Sequence, residues 1–416
     1  MGPSSRTFLV VLTVAIVVVA VVIAGTWNRG SVLRRTRNGT LLVVGQVLTA
    51  ALLLGAVNVH EQFYNTWDEV FGVSGPSGVA VVANGPAVAA AALPPPTTVL
   101  GTGRPGTLDA PLSALRRAHH GFGSLVSDIT IPGAKTGYRW RARAYLPAAY
   151  FARAYAHRTF PVVEMFSGGG GGPSSIFGSM PLQQALDGAI AAGTLPPLIA
   201  VSPTRNPVRV PDSQCLDDPH GFKVFTYVAD DVPAALKTLL RVRQDRGGWV
   251  TMGNSSGGFC AADVALQRPQ QFATVVSLSG YFSAPLGKFP MGDPLPDQAA
   301  RLLNTPVDRV RHVTQPVSFI LVSARDDKPS MRDLRTLLAV LKNIPADHAV
   351  AITTPTGGHS SKPWRETLPT IIDTLGQDLW RSTPAVTCGG QSGGHRTGKA
   401  TVRRATPALA RVHTHP

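Results

Sequence analysis

A glycine-flanked serine is the feature that most constrains the fold of this chain. Residues 253–257 read Gly-Asn-Ser-Ser-Gly, directly after a short apolar run at 248–252 that is typical of a buried strand. Residues 259–267 then have the small-residue composition of a helix. A strand that turns at once into a helix must double back, and the glycines remove side chains that would collide there. We therefore expect Ser255 at the tip of a strained turn as a nucleophile; the alternative is a serine in an ordinary glycine-rich loop.

Short apolar runs continue through the chain from about residue 108. The runs 124–131 and 138–145 are joined by a Pro-Gly turn, which suits an antiparallel pair. Six further runs have the composition of parallel strands buried on both faces: 160–166, 198–202, 249–252, 274–278, 318–322 and 349–353. An acidic pair before Pro233 predicts a capped helix over 234–242. The order predicts an α/β fold, a doubly wound and mostly parallel sheet with an antiparallel entry.

Two long apolar stretches, residues 8–27 and 41–59, precede this pattern. Each is long enough to cross ~30 Å of hydrocarbon as a helix. The segment between them contains Arg29, Arg34, Arg35 and Arg37. Short arginine-rich loops stay in the cytoplasm, so the hairpin predicts a cell-membrane protein with two spans and everything after residue 60 outside. A cleaved signal peptide is the alternative for the first stretch.

The composition then predicts four parts: a transmembrane helical hairpin at 1–60, a linker at 61–107, an α/β domain at 108–381 and a disordered basic tail at 382–416. The formal net charge is +15, but ten of the positive charges lie in the hairpin and the tail, where no acidic residue occurs. The remaining part is therefore only mildly basic. We expect a membrane partner and no nucleic-acid partner.

A serine nucleophile needs a base to take its proton and a carboxylate to fix the base. His359 follows the run 349–353 through two glycines, and we expect it to be the base rather than a solvated loop histidine. Asp326 and Asp327 follow the run 318–322. Spacing favours Asp326 as the acid, with Asp327 as the alternative, and one of the two is expected only to cap the helix near Ser330.

Stabilisation of a developing oxyanion needs backbone N–H groups that are already aimed at it. Ser256, the residue after the nucleophile, supplies one, and we expect another in the glycine-rich segment 167–172. A phosphate cradle is the alternative for this segment, but no Gly-Lys-Ser/Thr follows it. Neither the spacing of the cysteines nor that of the histidines indicates a metal site, and no cofactor is expected.

Cys215, Cys260 and Cys388 are the cysteines of the chain. In an exported domain we expect a disulfide between Cys215 and Cys260, which would brace the floor of the active site. Two reduced cysteines buried in the core are the alternative.

The order of these motifs resembles that of the α/β-hydrolase fold: a serine elbow, an earlier glycine-rich loop, an Asp after a late strand and a Gly-His near the end. Within that fold the chain is similar to the Putative esterase group, which includes the mycolyltransferases and esterase D. Residues 358–364 (GHSSKPW) resemble the His-Ser-x-x-x-Trp segment of the mycolyltransferases, and residues 212–215 (DSQC) resemble an Asp-Thr-Glu-Cys segment of membrane-anchored actinobacterial esterases. The resemblance covers residues 124–380 and implies Gly169 as the second oxyanion donor. Mycolyltransferases use Glu as the acid, so an Asp here favours the esterases.

Together these features predict a membrane-anchored, extracytoplasmic serine esterase that acts on an ester or acyl-lipid substrate through an acyl-enzyme. One alternative is an acyltransferase, similar to the mycolyltransferases, that moves the acyl chain to an envelope sugar or lipid. The other is a catalytically silent envelope protein that uses the fold for binding, against which the complete set of Ser, His, Asp and glycine loop argues.

Overall fold

The computed structural model of the protein describes residues 5–26, 32–61, 67, 80–84, 106–118, 123–207, 212–283, 295, 297–344 and 348–382. Three long parts of the chain lie outside these residues: most of the linker at 61–107, most of residues 283–298, and the basic tail after residue 382, which contains Cys388.

Two long helices, α1 (Arg6–Thr26) and α2 (Val32–Glu61), lie at the N-terminal end of the described chain. Thr7–Thr26 and Thr36–Ala56 have mean hydropathies of 3.2 and 1.9, and both are long and apolar enough to cross a membrane. Helix α2 begins before its apolar part, so three of the four arginines placed in the loop by the sequence lie in its first turns.

Nine strands of the described chain form one mixed sheet. They are β1 (Ala80–Asn84), β2 (Leu125–Pro132), β3 (Arg139–Leu146), β4 (Val162–Phe166), β5 (Ile199–Pro203), β6 (Trp249–Asn254), β7 (Thr274–Leu278), β8 (Ser318–Ala324) and β9 (Ala349–Thr354). Their order across the sheet is β1-β9-β8-β7-β6-β4-β5-β3-β2. The strands from β9 to β5 are mutually parallel, whereas β1, β3 and β2 pair antiparallel at the two edges. This is the doubly wound, mostly parallel α/β-hydrolase sheet that the sequence predicts.

Helices cover both faces of the sheet. They are α3 (Asp109–Ala118), α4 (Ser175–Ser179), α5 (Leu182–Ala192), α6 (Val224–Thr226), α7 (Val232–Leu239), α8 (Ser256–Gln267), α9 (Gln298–Leu303), α10 (Pro306–Arg309), α11 (Lys328–Leu341) and α12 (Ser361–Arg381). Apolar residues of α5 and α12 pack on one face in one buried cluster, and those of α7, α8 and α11 pack on the other face in a second. Because the parallel strands are covered on both sides, they read as continuous apolar runs in the sequence.

Two local predictions are wrong. No strand was predicted in the linker at 61–107, but β1 lies within it and pairs with β9. Asp231 was expected to cap the helix that begins near Pro233, but its side chain makes no cap hydrogen bond. Its carboxylate instead accepts from the backbone N–H groups of Lys135 and Thr136 in the turn between β2 and β3, at 2.7 and 3.0 Å. The helix does not start here, because it already runs from Val224 through a π-helical stretch at Tyr227–Asp231 into α7, so the carboxylate is left for the turn, which offers two amides at once.

Candidate active site

Ser255 lies between β6 and α8 in a backbone conformation that is rare for a residue with a side chain. Its φ and ψ are 54° and −124°, and its N–H donates to Leu278 O at 2.8 Å. Such a conformation costs about 1–3 kcal/mol. A Cβ on Gly253 would lie 2.1 Å from Gly257 O, and one on Gly257 would lie 2.0 Å from Phe166 O. Both motif glycines are therefore required by close backbone approach.

His359 lies against the serine at the tip of this turn. Its Nε2 is 2.8 Å from Ser255 Oγ, and its Nδ1 is 2.8 Å from Asp327 Oδ2. The histidine follows β9 through Gly357 and Gly358, whose φ angles of 133° and 57° are in the range that favours glycine. The arrangement joins a hydroxyl, an imidazole and a carboxylate in one hydrogen-bonded chain.

The carboxylate in this chain differs from the one that sequence spacing favours. Asp327, not Asp326, contacts His359, and its side chain is only 4% exposed. Asp327 Oδ1 also accepts from Ser330 N at 3.4 Å, so the same residue caps α11. The preference for Asp326 fails because β8 continues to Ala324, beyond the predicted strand end at residue 322.

Asp326 has a different role in the structure. Its two carboxylate oxygens accept from the backbone N–H groups of Gly357 and Gly358, at 3.2 and 2.8 Å. The side chain is exposed and holds the loop that carries His359, and none of the described hydrogen bonds joins it to the imidazole. The two neighbouring acids therefore hold His359 in two places: Asp327 binds its ring, and Asp326 binds the backbone of the loop before it.

The segment after His359 fixes its position further. Ser360 caps α12 by accepting from Lys362 N at 3.2 Å. One turn later, the buried Trp364 donates its indole N–H to Ser279 Oγ at 3.0 Å. The imidazole lies edge-on to this indole, with ring centroids 6.4 Å apart. The His-Ser-x-x-x-Trp pattern thus places a rigid aromatic side chain beside the histidine.

The glycine-rich loop after β4 lies next to the serine. A Cβ on Gly168 would be 3.3 Å from Ser255 Cβ. Among the residues that the structure describes, the Gly169 N–H donates to no protein acceptor. The Ser256 N–H is the first of α8 and so lies outside the helical hydrogen-bond ladder. In the described part of the chain, neither of the two amides expected to bind an oxyanion is therefore taken up by a protein acceptor.

A family model described as Putative esterase matches residues 133–375, which is more than half of the chain. The chain belongs to the Putative esterase family. It has the α/β-hydrolase fold. An uncharacterized protein of Corynebacterium glutamicum is 28% identical to it over an alignment of 246 residues that covers 56% of each of the two chains. The chain therefore spans about half the length of that curated relative.

Solved structures support the same fold. The chain is similar to a ferulic acid esterase, with a TM-score of 0.52 and 19% identity over 62% of this chain and 98% of that one. It is also similar to an S-formylglutathione hydrolase from Agrobacterium tumefaciens, with a TM-score of 0.51 and 16% identity over 64% of this chain and 97% of that one. At these identities the similarity concerns the fold.

Arg205 is a buried residue of the candidate site that could not be predicted from the sequence motifs. Its side chain is fully buried, and its guanidinium donates to Ser167 O, Ser256 Oγ and Asp212 Oδ1 at 2.9, 3.0 and 3.0 Å. The available signal was an arginine just after a buried strand, at the carboxyl edge of a parallel sheet where ligands bind. The next residue, Asn206, lies at the same edge of the sheet and was also missed.

Cys215 lies against Cys260, which belongs to α8, the helix that follows Ser255. Both are fully buried, and their Cα atoms are 5.4 Å apart with the sulfur atoms at bonding distance. This Cα separation is within the usual range for a disulfide. In the part of the esterase that the structure describes, no group of three or more His, Cys, Asp or Glu side chains is arranged to hold a metal ion.

Proposed function

We propose that the esterase is a serine hydrolase in which Ser255 is the nucleophile, His359 the general base and Asp327 the acid that orients it. The observation that carries the proposal is the continuous hydrogen-bonded chain from Ser255 Oγ through the imidazole to Asp327, with both distances at 2.8 Å. The strained backbone of Ser255 supports it, because such strain is concentrated at functional sites.

The first half-reaction forms an acyl-enzyme. His359 Nε2 takes the hydroxyl proton as Ser255 Oγ attacks the ester carbonyl carbon, and the carbonyl oxygen becomes an oxyanion. The Gly169 and Ser256 amides donate to that oxyanion. When the tetrahedral intermediate collapses, the C–O bond to the alcohol breaks, and the alcohol leaves with the proton from His359. Water then repeats the sequence on the acyl-enzyme and releases the acid.

Asp327 gives the histidine its function in both steps. Because Oδ2 of Asp327 accepts from Nδ1, the neutral ring carries its proton there and leaves Nε2 free to accept from Ser255. After proton transfer, the carboxylate faces an imidazolium cation. The near-complete burial of Asp327 increases this attraction relative to an exposed pair.

Fluorophosphonate labelling tests the nucleophile directly. We expect the full-length enzyme to be labelled once, on the peptide containing Ser255, and the Ser255→Ala variant to be neither labelled nor active. Ser127→Ala, on the edge strand β2, is the control and should be labelled like the wild type. A label that persists on Ser255→Ala would show that another residue is the nucleophile.

Transfer of the acyl group to another alcohol passes through the same acyl-enzyme, so the role of Ser255 does not depend on it. Product analysis separates the two outcomes. With an added acceptor sugar, we expect free acid as the main product, and a sugar ester as the main product would favour the acyltransferase alternative.

We further propose that α1 and α2 anchor the enzyme as a two-span hairpin, with the catalytic domain outside the cell. The arginines at the start of α2 support a cytoplasmic turn, and the paired cysteines suit an oxidising compartment. An epitope tag after Pro416 should be detected by antibody on intact cells, whereas a tag inserted at residue 30 should need permeabilisation. The reverse pattern would invert the topology.

The proposed division remains a hairpin at 1–60, a linker at 61–107, the catalytic domain at 108–381 and a tail at 382–416. The pairing of β1 with β9 adds a condition, since a fragment that begins at residue 108 lacks the strand at this edge of the sheet. We expect a fragment that includes β1 to be the more stable of the two.

A further inference from the structure

Two polar side chains just beyond β5 contact both segments that carry the proposed oxyanion donors. They are Arg205 and Asn206, which lie at the carboxyl edge of the sheet. We propose that they are positioning residues that fix the directions of the Gly169 and Ser256 amides and so determine how strongly the oxyanion is stabilised. This inference rests on the proposed serine mechanism.

Asn206 fixes the peptide that contains the Gly169 N–H. Its Nδ2 donates to Gly168 O at 3.1 Å and to Gly171 O at 3.2 Å, while its Oδ1 accepts from Ser213 N at 3.1 Å. In a planar trans peptide the C=O and the following N–H point in opposite directions. Holding Gly168 O toward Asn206 therefore aims the Gly169 N–H away from it, and this is the amide without a protein acceptor among the described residues.

Arg205 ties the glycine-rich loop to the start of the nucleophile helix. One guanidinium donates to Ser167 O, immediately before the loop glycines, and to Ser256 Oγ, on the residue that follows the nucleophile. The distance between the two donor segments is thus set by one planar group. Lysine replaces it only in part, because an ammonium is a compact point charge and lacks the rigid fork that reaches separated acceptors.

Two residues further along the chain also connect this region to Ser255. Asp212 Oδ1 accepts from Arg205 and from Gln214 N, both at 3.0 Å. A Cβ on Gly169 would lie 2.7 Å from Asp212 Oδ2, so a side chain at this position would force the Asp212 carboxylate to move. Cys215, three residues after Asp212, is paired with Cys260 of α8, the helix that follows Ser255. Asp212 and Cys215 are therefore both held relative to Ser255.

A buried cation has to offset its lost hydration, and a buried ion pair is consequently a weak source of folding stability. Donors that are fixed before the reaction are, in contrast, effective in catalysis because they need not reorganise as charge develops. The contacts of Arg205 and Asn206 are therefore expected to act mainly on the transition state, and less on substrate binding.

The test compares an oxygen ester with its thiono analogue in the full-length enzyme. The thiono ester places sulfur, a weak hydrogen-bond acceptor, where the oxyanion forms, so it gains little from correctly aimed amides. For Asn206→Ala we expect kcat on the oxygen ester to fall about 10- to 100-fold with KM changed less than about 3-fold. On the thiono ester kcat should fall less than about 3-fold. Arg205→Lys should have the same signature, with a smaller loss.

Matched controls separate positioning from general stability. Asn304 also donates from Nδ2 to a backbone carbonyl, Ala300 O, at 2.8 Å, and Arg243 is a second buried arginine, 2% exposed. Asn304→Ala and Arg243→Lys are expected to lower Tm and to leave the ratio of the two kcat values unchanged.

The inference is overturned if Asn206→Ala and Arg205→Lys lower both kcat values in equal proportion, or if they change only KM. These results are distinguishable from a failure of the proposed function. If Ser255→Ala still hydrolyses both esters, the serine mechanism is wrong; if it is inactive and the ratio does not respond to Asn206→Ala, only the positioning role is wrong.

Discussion

Replacement of Asp327 by Asn tests the arrangement of the acid and the base. An asparagine amide has one acceptor and one donor group, whereas Asp327 accepts at both oxygens, from His359 Nδ1 and from Ser330 N. If the amide oxygen keeps the helix cap, the NH₂ group faces Nδ1 and forces the proton onto Nε2. The imidazole is then unable to accept the proton of Ser255.

The expected loss follows from two contributions. Retention of the cap favours the unproductive orientation by about 1 kcal/mol, or roughly 5-fold. The productive orientation lacks the negative charge opposite the imidazolium, and two unit charges about 4 Å apart interact by about 4 kcal/mol at an effective dielectric constant near 20, or roughly 10³-fold. We therefore expect Asp327→Asn to lower kcat/KM by about 10³- to 10⁴-fold, in the range known for a triad that holds the wrong tautomer.

Asp326→Asn is the matched control. It weakens hydrogen bonds to Gly357 N and Gly358 N on an exposed carboxylate, so we expect a loss of about 5-fold, equivalent to about 1 kcal/mol. Steady-state hydrolysis of a chromogenic ester at pH 8 measures both variants, and Tm confirms that each is folded. Equal losses in the two variants, or a loss below about 10-fold for Asp327→Asn, would refute the assignment of Asp327.

Three further perturbations test the site and its support. Gly257→Ala should abolish activity or folding, since its Cβ would lie 2.0 Å from a backbone oxygen of β4. Gly188→Ala on α5 is the control, because its Cβ meets nothing within 4 Å and the change should be neutral or slightly stabilising. An active, stable Gly257→Ala enzyme would contradict the close approach. Burial raises the pKa of Asp263 to about 7, so the folded state holds a proton that the unfolded state releases near pH 4. In urea unfolding between about pH 4 and 7, the free energy of unfolding of the wild type should therefore fall by about 1.4 kcal/mol per pH unit relative to that of Asp263→Asn. Parallel pH curves for the two proteins would rule this explanation out. Reduction of the bond between Cys215 and Cys260, which are 45 residues apart, should lower the free energy of unfolding by up to about 4 kcal/mol and Tm by about 5–10 °C. Free thiols at both positions in a non-reduced digest would rule the bond out.

Much of the fold could be predicted from the sequence because its signals are local. The eight strands from β2 to β9 each coincide with a predicted run to within about two residues, and the six parallel strands β4 to β9 do so because strands buried on both faces are mostly apolar. The elbow at Ser255 could be predicted because its cause is also local. Steric exclusion around Gly253 and Gly257 acts within a few residues, so it leaves its mark as a short motif.

The site was less predictable wherever its residues are joined across long stretches of chain. Ser255 and His359 are 104 residues apart, and both were identified because each follows a strand that ends at the same edge of the sheet. The choice between Asp326 and Asp327 could not be predicted, because it depends on where β8 ends. The position at which the chain leaves β8 decides which of the two neighbouring carboxylates faces the imidazole.

The sequence by itself determined the alternation of strands and helices, the apolar helices at the N-terminus and the turn at Ser255, because burial and steric clash act on neighbouring residues. Only the tertiary structure placed Asp327 against His359, Asp231 in the β2–β3 turn, and β1 on the sheet edge. The same holds for Arg205, whose contacts with Ser167 and Ser256 span 38 and 51 residues. A buried polar side chain takes whichever partner the packed fold brings within hydrogen-bond distance, and that choice is set by the whole chain.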